Sequence, residues 1–455
     1  MTQGFEARAR QIYAQILGRA PEHDFDPTIE RVASLLDVLG NPQRAFRVIH
    51  LTGTNGKTST ARMIDSLLRE LGLRTGRFTS PHLDSVRERI VIDGESISAE
   101  QFVAIWNDIE PYVAMVDAQL AESGQSQLSF FEVLTAFAYA AFADAPVQVA
   151  VVEVGMGGLW DSTNTADGEI AVFTPISRDH ERWLGHSIEE ITSVKSGIIK
   201  ELSPAQVVVT ATQPQEGEAV LAQVAGDHGA RVIAEGYDID VANRTIAVGG
   251  QLIDLQGSGG LYTEIYLPLH GEHQAQNALL ALVAVEQFLG GGALDGSVVE
   301  AGFAAVTSPG RLEVIRNSPT VLLDAAHNPA GMEALVAALD EAFAFSRLVG
   351  VIGILADKEA EAMLSVLEPA LPEIVVTEVA SERGMPAEEL AELAREVFGD
   401  DRVHLEPSLP DAVALAADLA EQGDDARIGS GTGVIVTGSV ILAGQARSLL
   451  NSVPS

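Results

Sequence analysis

Residues 47–71 read RVIHLTGTNGKTSTARMIDSLLREL, and the rest of the chain is organised around them. Val48, Ile49 and Leu51 form an apolar run that leads into Gly53-Thr54-Asn55-Gly56-Lys57-Thr58-Ser59. Beyond it, Met63, Ile64, Leu67, Leu68 and Leu71 recur at the i, i+3, i+4 spacing of an amphipathic helix. Strand, glycine turn and helix together point backbone N–H groups and a helix N-terminus at a phosphate. In such a loop Lys57 reaches the outer phosphates and the Thr58 hydroxyl faces a Mg²⁺ ion. The longer GxxxxGK[ST] pattern needs glycine at 51, where this chain has Leu51, so the match is to a shorter GxxGKT form. The plain alternative is a strand–helix turn with a solvated lysine. The reading adopted is a nucleotide site.

A chain of 455 residues exceeds one ordinary core, so two or three domains are expected. Hydrophobic residues make up 47% and charged residues 20%, as in a well-packed globular protein. With no cysteine, disulfides, thiol catalysis and cysteine-ligated zinc are excluded. No apolar run approaches the roughly 20 residues of a membrane span, and the expected location is the cytoplasm. The net charge of −36 repels nucleic acid and anionic membrane surfaces, so neither is expected as a partner. Anionic substrates then need local basic clusters, such as Lys57 and the Arg87/Arg89 stretch.

Residues 5–40 read as two helices, broken at Pro21 and Pro27. After the opening strand–loop–helix unit, residues 99–143 are helical with a polar insert around 122–127. Apolar strands at 148–155, 170–175 and 206–212 alternate with helices, the pattern of a doubly wound α/β domain. Residues 230–270 change to short alternating runs (RVIAEG, RTIAVGG, QLIDLQG, TEIYLPL), read as a small antiparallel β patch. A helix over 273–289 follows. After Ser308-Pro309-Gly310-Arg311 the α/β alternation restarts, with strands at 321–327, 348–355, 373–380 and 433–440. The expectation is an α/β protein of two domains. Residues 1–306 would form a P-loop-type doubly wound ATPase domain with the β patch, and 307–455 a Rossmann-like α/β domain.

Other polar residues stand where strands should end. Glu153 closes an otherwise apolar strand before Gly155-Met156-Gly157-Gly158, and a carboxylate buried there must be paired or hold a cation. Asp179-His180 ends the next strand region and offers a second metal ligand. Ser80-Pro81-His82 reads as a structural loop whose Ser80 hydroxyl suits a hard cation. Asp161 suits a substrate contact or a plain turn, and Lys195 a surface lysine or an inward, deprotonated one. His273, Gln274, Asn277, Arg311, Asp324, His327, Asn328, Asp357 and Lys358 fall at element ends that an interdomain cleft would gather.

In order along essentially the whole chain, GTNGKTST, SPHLDSVRERI, VEVGMGGLWDSTN, DHERWLG, VKSGI, GEHQAQNAL, SPGRLEV, LDAAHNPAG, GILADKE and VTGSV resemble the folylpolyglutamate synthase/dihydrofolate synthase family of the Mur ligase superfamily. The resemblance implies an ATP-dependent amide ligase. Such an enzyme phosphorylates a dihydropteroate or reduced-folate carboxylate and couples it to L-glutamate. It further implies Thr58, Ser80 and Glu153 on one Mg²⁺, Glu153 and His180 on a second, and Lys195 as a carbamylated support. Catalytic roles fall to Lys57, Lys195 and His327. Nucleotide contacts fall to Gly53, Thr54, Asn55, Gly56, Lys57, Thr58, Ser59, Asn277, Arg311 and Asp324. Ser80, Pro81, His82 and Asp161 match the folate side, while His327 and Ser439 match the glutamate side. Two departures are Thr58, where many relatives have glycine, and Leu159, where arginine is frequent.

The rival within the superfamily is a UDP-N-acetylmuramoyl-peptide amino-acid ligase of cell-wall synthesis. Against it, the phosphate loop begins by residue 53, leaving no separate domain for a UDP-sugar before it. A regulatory ATP-binding switch and a non-catalytic descendant are the rivals from other classes. The descendant would be expected to lose Lys57, Glu153 or His180, and all three are present. A monomer is the expected assembly.

Overall fold

The computed structural model describes residues 2–20, 27–422 and 431–452; Pro21, one of the expected helix breaks, lies outside them. Its largest sheet comprises β1 (Arg47–Thr52), β2 (Thr75–Phe78), β3 (Ile90–Ile92), β4 (Glu95–Ser96), β5 (Val149–Glu153), β6 (Gly168–Phe173), β7 (Val207–Thr210) and β8 (Arg231–Ala234). Their spatial order is β4-β3-β2-β5-β1-β6-β7-β8. Parallel pairing runs from β2 to β8, and only β3 and β4 are antiparallel. Parallel strands are covered on both faces, and for that reason β1, β5 and β6 read as continuous apolar runs.

Successive side chains point to opposite faces and so feed two cores. Val48, Ala150 and Val152 pack with Phe102, Trp106, Phe137 and Phe142 beneath the helices Thr2–Leu17, Glu30–Val38, Ala99–Glu122 and Phe130–Asp144. Ile49, Leu51, Val149 and Val151 pack on the other face with the helices Lys57–Glu70 and Glu272–Phe288. The second of these helices is apolar almost all round because it also carries a three-stranded antiparallel sheet.

That sheet consists of β9 (Asp240–Ala247), β10 (Gly250–Gln256) and β11 (Leu261–Leu267). One assignment changes. RVIAEG does not join it, because the helix Gln215–Asp227 returns the chain alongside β7 as a crossover and β8 pairs there in parallel. A third sheet holds β12 (Glu313–Asn317), β13 (Thr320–Leu323), β14 (Phe345–Ile352), β15 (Glu373–Val376), β16 (Val403–Leu405) and β17 (Gly431–Thr437). Its order is β12-β13-β17-β14-β15-β16, with β12 alone antiparallel.

Register decides what reaches the site. Leu51 lies opposite Glu153, and Thr52 opposite Phe173, so β1, β5 and β6 end level with one another. In the third sheet Leu323 lies opposite Val436, which brings the segments after β13 and β17 side by side. Among the described residues no helix is long and apolar enough to cross a membrane.

Candidate active site between the two large sheets

The loop after β1 is shaped by two glycines. A Cβ on Gly53 (φ +144°) would fall 1.9 Å from Thr174 Oγ1, and one on Gly56 (φ +89°) 2.4 Å from Asn277 Oδ1. Neither position accepts another residue without displacement, so the helix Lys57–Glu70 starts directly against Asn277. Thr54 N–H donates to the Pro175 carbonyl at 2.9 Å. Lys57 folds back, its Nζ donating to the Gly53 and Thr54 carbonyls at 3.1 and 3.0 Å. Burial lowers the Lys57 pKa.

Lys195 donates to the same Gly53 carbonyl at 2.7 Å and is 4% exposed, so of the two readings the inward one describes its position. Burial and the neighbouring Lys57 charge push its pKa down to about 7. A substantial fraction of this amine is therefore neutral near pH 7.

Glu153 is 2% exposed. Its two oxygens accept from Thr58 Oγ1 at 3.0 and 2.9 Å, and Ser80 N–H reaches Oε2 at 3.4 Å. Burial raises its pKa against the opposing pull of Lys57 and Thr58. Among the described residues Glu153 makes no ion pair. His180 takes up a left-handed backbone (φ 53°), and burial pushes its pKa down to about 3, leaving a neutral imidazole. No three carboxylate or imidazole side chains cluster closely enough among the described residues to form a metal cage unaided.

A cavity of about 500 Å³ opens between the ends of the two large sheets, and the residues expected to bind nucleotide, metal, acceptor and glutamate line it, whereas Asn328 and Asp357 line a neighbouring cavity. The carboxyl ends of strands are where open α/β sheets bind ligands. Asn277 donates to Gln274 Oε1 at 3.2 Å. Asp324 accepts from Leu312 N–H at 2.9 Å and Ala326 N–H at 2.8 Å, fixing the turn after β13, and burial raises its pKa. Arg311 Nη1 donates to the Gly310 carbonyl at 3.0 Å. His327 shares its Nδ1 proton with the Ala325 carbonyl at 2.9 Å, which leaves Nε2 as an acceptor. Burial and Lys358 push His327 down to about 4. Ser439 is buried, and its hydroxyl accepts from Ile441 N–H at 3.1 Å at the start of the helix Val440–Ser452.

Two residues that the resemblance assigns to the folate side are tied down internally. Asp161 accepts from Met156 N–H at 2.9 Å and from Thr163 N–H at 3.0 Å, so its carboxylate builds the turn that the sequence left as one of two readings. His82 Nδ1 accepts from Arg89 Nε at 2.9 Å, and burial together with Arg89 pushes the ring down to about 3. Tyr13 packs edge-on to His82 with ring centroids 5.9 Å apart. Sequence reasoning missed Tyr13, because nothing local in the first helix signals a neighbour 69 residues away.

Sequence reading also named Asp179 and Lys358 without pairing them. Lys358 Nζ donates to Asp179 Oδ1 at 2.6 Å, with both side chains nine-tenths buried. Asn328 Nδ2 reaches Asp179 Oδ2 at 3.2 Å and exchanges amide hydrogen bonds of 3.1 Å with Asn55. Burial works to raise the Asp179 pKa, but His180, Lys358 and His327 outweigh it and hold the carboxyl well below its usual range. This polar bridge joins the phosphate-loop side of the cavity to the third-sheet side.

The Mur ligase middle domain model matches residues 51–285, and the Mur ligase glutamate ligase domain model matches residues 310–439. The dihydrofolate synthase/folylpolyglutamate synthase of Mycobacterium tuberculosis is 52% identical over 452 residues, covering 96% of this chain and 92% of that protein. The chain belongs to this family. A solved structure of Mycobacterium tuberculosis folylpolyglutamate synthase complexed with ADP and AMPPCP matches with a TM-score of 0.93 at 50% identity, covering 99% of this chain and 100% of that one. Escherichia coli FolC in complex with DHPP and ADP matches with a TM-score of 0.81 at 27% identity, covering 98% of each chain.

Proposed function

We propose that this chain is an ATP-dependent ligase that joins L-glutamate to the carboxylate of dihydropteroate, of folyl-polyglutamate, or of both. The observation that carries the reading is the meeting of Lys57, Thr58 and Glu153 with Arg311, Asp324 and His327 in one cavity. Membership of the family, and relatives solved with ADP, AMPPCP and DHPP, support it. Residues 1–306 act as a P-loop-type nucleotide domain carrying the folate site, and 307–455 as the Rossmann-like glutamate-ligase domain.

The acceptor carboxylate attacks the terminal phosphorus of ATP, the bond to ADP breaks, and an acyl phosphate forms. The glutamate amine then attacks the acyl carbon and phosphate leaves with the amide made. The loop 53–59 cradles the phosphates, and Lys57 exchanges its two carbonyl partners for phosphate oxygens. Asn277, Arg311 and Asp324 hold the nucleotide from the other wall, and Ser80, Pro81, His82 and Asp161 form the acceptor side. His327 offers Nε2 to the incoming amine, and Ser439, which lines the same cavity, serves the glutamate end.

A buried carboxylate that forms no ion pair among the described residues, faced by Thr58 and Ser80, has the hard-oxygen chemistry that Mg²⁺ prefers. Thr58, Ser80 and Glu153 would hold one ion, and Glu153 with the neutral His180 a second. Bound there, Mg²⁺ neutralises phosphate charge and polarises the reacting oxygens. Lys195 fits carbamylation because burial and the Lys57 charge lower its pKa to about 7, leaving a substantial fraction of the amine neutral near neutral pH.

Acceptor labelled with ¹⁸O in its carboxylate tests the intermediate. An acyl phosphate passes one label to inorganic phosphate, whereas label retained wholly in the amide product and unreacted acceptor contradicts the mechanism. Thermal shift separates the rival. Stabilisation by UDP-N-acetylmuramoyl peptides and not by dihydropteroate would favour the cell-wall ligase.

A further inference from the structure

The loop that follows Ser80-Pro81-His82 is gripped from the third-sheet side. Leu83 lies between two glycines that come from different elements. A Cβ on Gly444, within the helix Val440–Ser452, would sit 2.3 Å from the Leu83 carbonyl oxygen and 2.9 Å from its carbon. A Cβ on Gly310 would sit 3.2 Å from Leu83 Cδ1. The first contact is with backbone, which has no rotamer to escape through.

The next residue is held by charge. Asp84 Oδ2 accepts from Arg447 Nη1 at 2.8 Å, and Asp84 Oδ1 accepts from the Ser448 hydroxyl. The same guanidinium turns its Nε to Glu313, at 3.0 and 3.1 Å from the two carboxylate oxygens. Glu313 in turn accepts from Gly310 N–H at 2.8 Å, and the Gly310 carbonyl accepts from Ala325 N–H at 2.9 Å. One arginine thus spans the acceptor loop and the segment that carries Arg311, Asp324 and His327.

The loop is also tied together from within. Glu88 accepts from the N–H groups of Leu83, Asp84 and Ser85 at 3.0, 3.1 and 2.8 Å, so residues 83–85 move with the Glu88 side chain as one unit. Contiguous packed and hydrogen-bonded groups of this kind are what couple two sites physically.

We propose that Arg447 is a positioning residue for the ligase reaction. It clasps the acceptor loop to the 310–327 segment, so that an acceptor seated against Ser80–His82 brings Arg311 and His327 into register. The inference rests on the ligase reading above. A lysine at this position offers a point charge without the fork that serves two carboxylates, so it restores the clasp only in part.

The test compares wild type, Arg447→Ala, Arg447→Lys and Gly444→Ala in ADP release with Mg²⁺-ATP, L-glutamate and dihydropteroate. Arg447→Ala and Gly444→Ala are expected to raise acceptor KM and lower kcat by about 5- to 50-fold while ATP KM stays within about twofold, with Arg447→Lys intermediate. Unchanged acceptor KM and kcat in both variants overturn the clasp. Parallel losses in both KM values and in thermal midpoint also overturn it, because that pattern marks a merely structural contact. A wild-type enzyme that forms no glutamylated product overturns the ligase reading, and this inference falls with it.

Discussion

Glu153 concentrates the chemistry of the site in one carboxylate. Its ordinary pKa of 4.5 is raised by burial, so the native state binds a proton that the unfolded chain has released, and stability falls as pH rises through that window. Ionised Glu153 is therefore a cost to the fold at neutral pH. Glu153→Gln is expected to keep or raise the thermal midpoint while lowering kcat by roughly 100-fold or more, beyond what loss of an outer-sphere partner gives. Turnover close to wild type would remove Glu153 from the metal assignment. Lys195 has the opposite sign of dependence. Its native pKa near 7 lies below the ordinary 10.5, so the unfolded chain binds the extra proton and stability rises with pH between the two values. If the neutral amine is carbamylated, Lys195→Ala activity recovers on adding a short carboxylic acid, and wild-type activity falls in carbon-dioxide-free buffer and returns with bicarbonate. No response to either addition contradicts the carbamate.

At the scale of elements, the turn after β1 and the bridge at Asp179 carry the sharpest expectations. Gly56→Ala puts a methyl group 2.4 Å from Asn277 Oδ1 and forces φ +89° on a residue with a side chain, a strain of about 1–3 kcal/mol. Nucleotide affinity in this variant, measured by calorimetry with AMPPCP, should fall more than acceptor affinity does. Lys358→Met removes one partner of a nine-tenths-buried ion pair, and breaking such a pair costs about 3–5 kcal/mol. A lowered melting temperature together with reduced kcat is expected; wild-type values in both would show the bridge to be idle. The loop and its glycines were legible in the chain because a buried parallel strand, a glycine turn and an amphipathic helix each leave their own period. The bridge was not, because its partners lie 179 residues apart and only the fold brings them together. Strands β2, β3, β4, β12 and β16 went unread for another reason. Polar residues break β2, β4, β12 and β16, and β3 spans only three positions, so none offers the apolar run by which the equally short β5, β7, β13 and β15 were legible. RVIAEG was misgrouped because a four-residue edge strand looks alike in parallel and antiparallel company.

Over the whole molecule, a net charge of −36 surrounds a cavity whose lining includes Lys57, Arg311 and Lys358. Anionic substrates are thus drawn to a local cationic wall within a repelling surface. Buried histidines set the acid limit of the fold. Burial pushes His50, His82 and His180 to about 3, and His273 and His327 to about 4, from an ordinary 6.5. Between those values the unfolded chain binds protons that the native state refuses, so the histidines' contribution to stability is full above pH 6.5 and declines as pH falls towards 4. Glu153, Asp161, Glu235 and Asp324, raised by burial, work in the opposite direction. The histidines are expected to dominate, giving a midpoint that drops from pH 7 to pH 5 with net proton uptake on unfolding. A flat profile with no uptake would contradict their burial as neutral rings.

The reaction proposed for this cavity joins glutamate to a pterin-bearing carboxylate at the expense of ATP. Mass spectrometry of products, with Mg²⁺-ATP and L-glutamate present and dihydropteroate or tetrahydrofolate supplied separately, tests it most directly. Acceptor is expected to gain one glutamyl residue, matched by ADP formed only when glutamate and acceptor are both present, and the acceptor pattern then assigns the synthase. ADP formed at the same rate without glutamate or acceptor, and no glutamylated product, would contradict it.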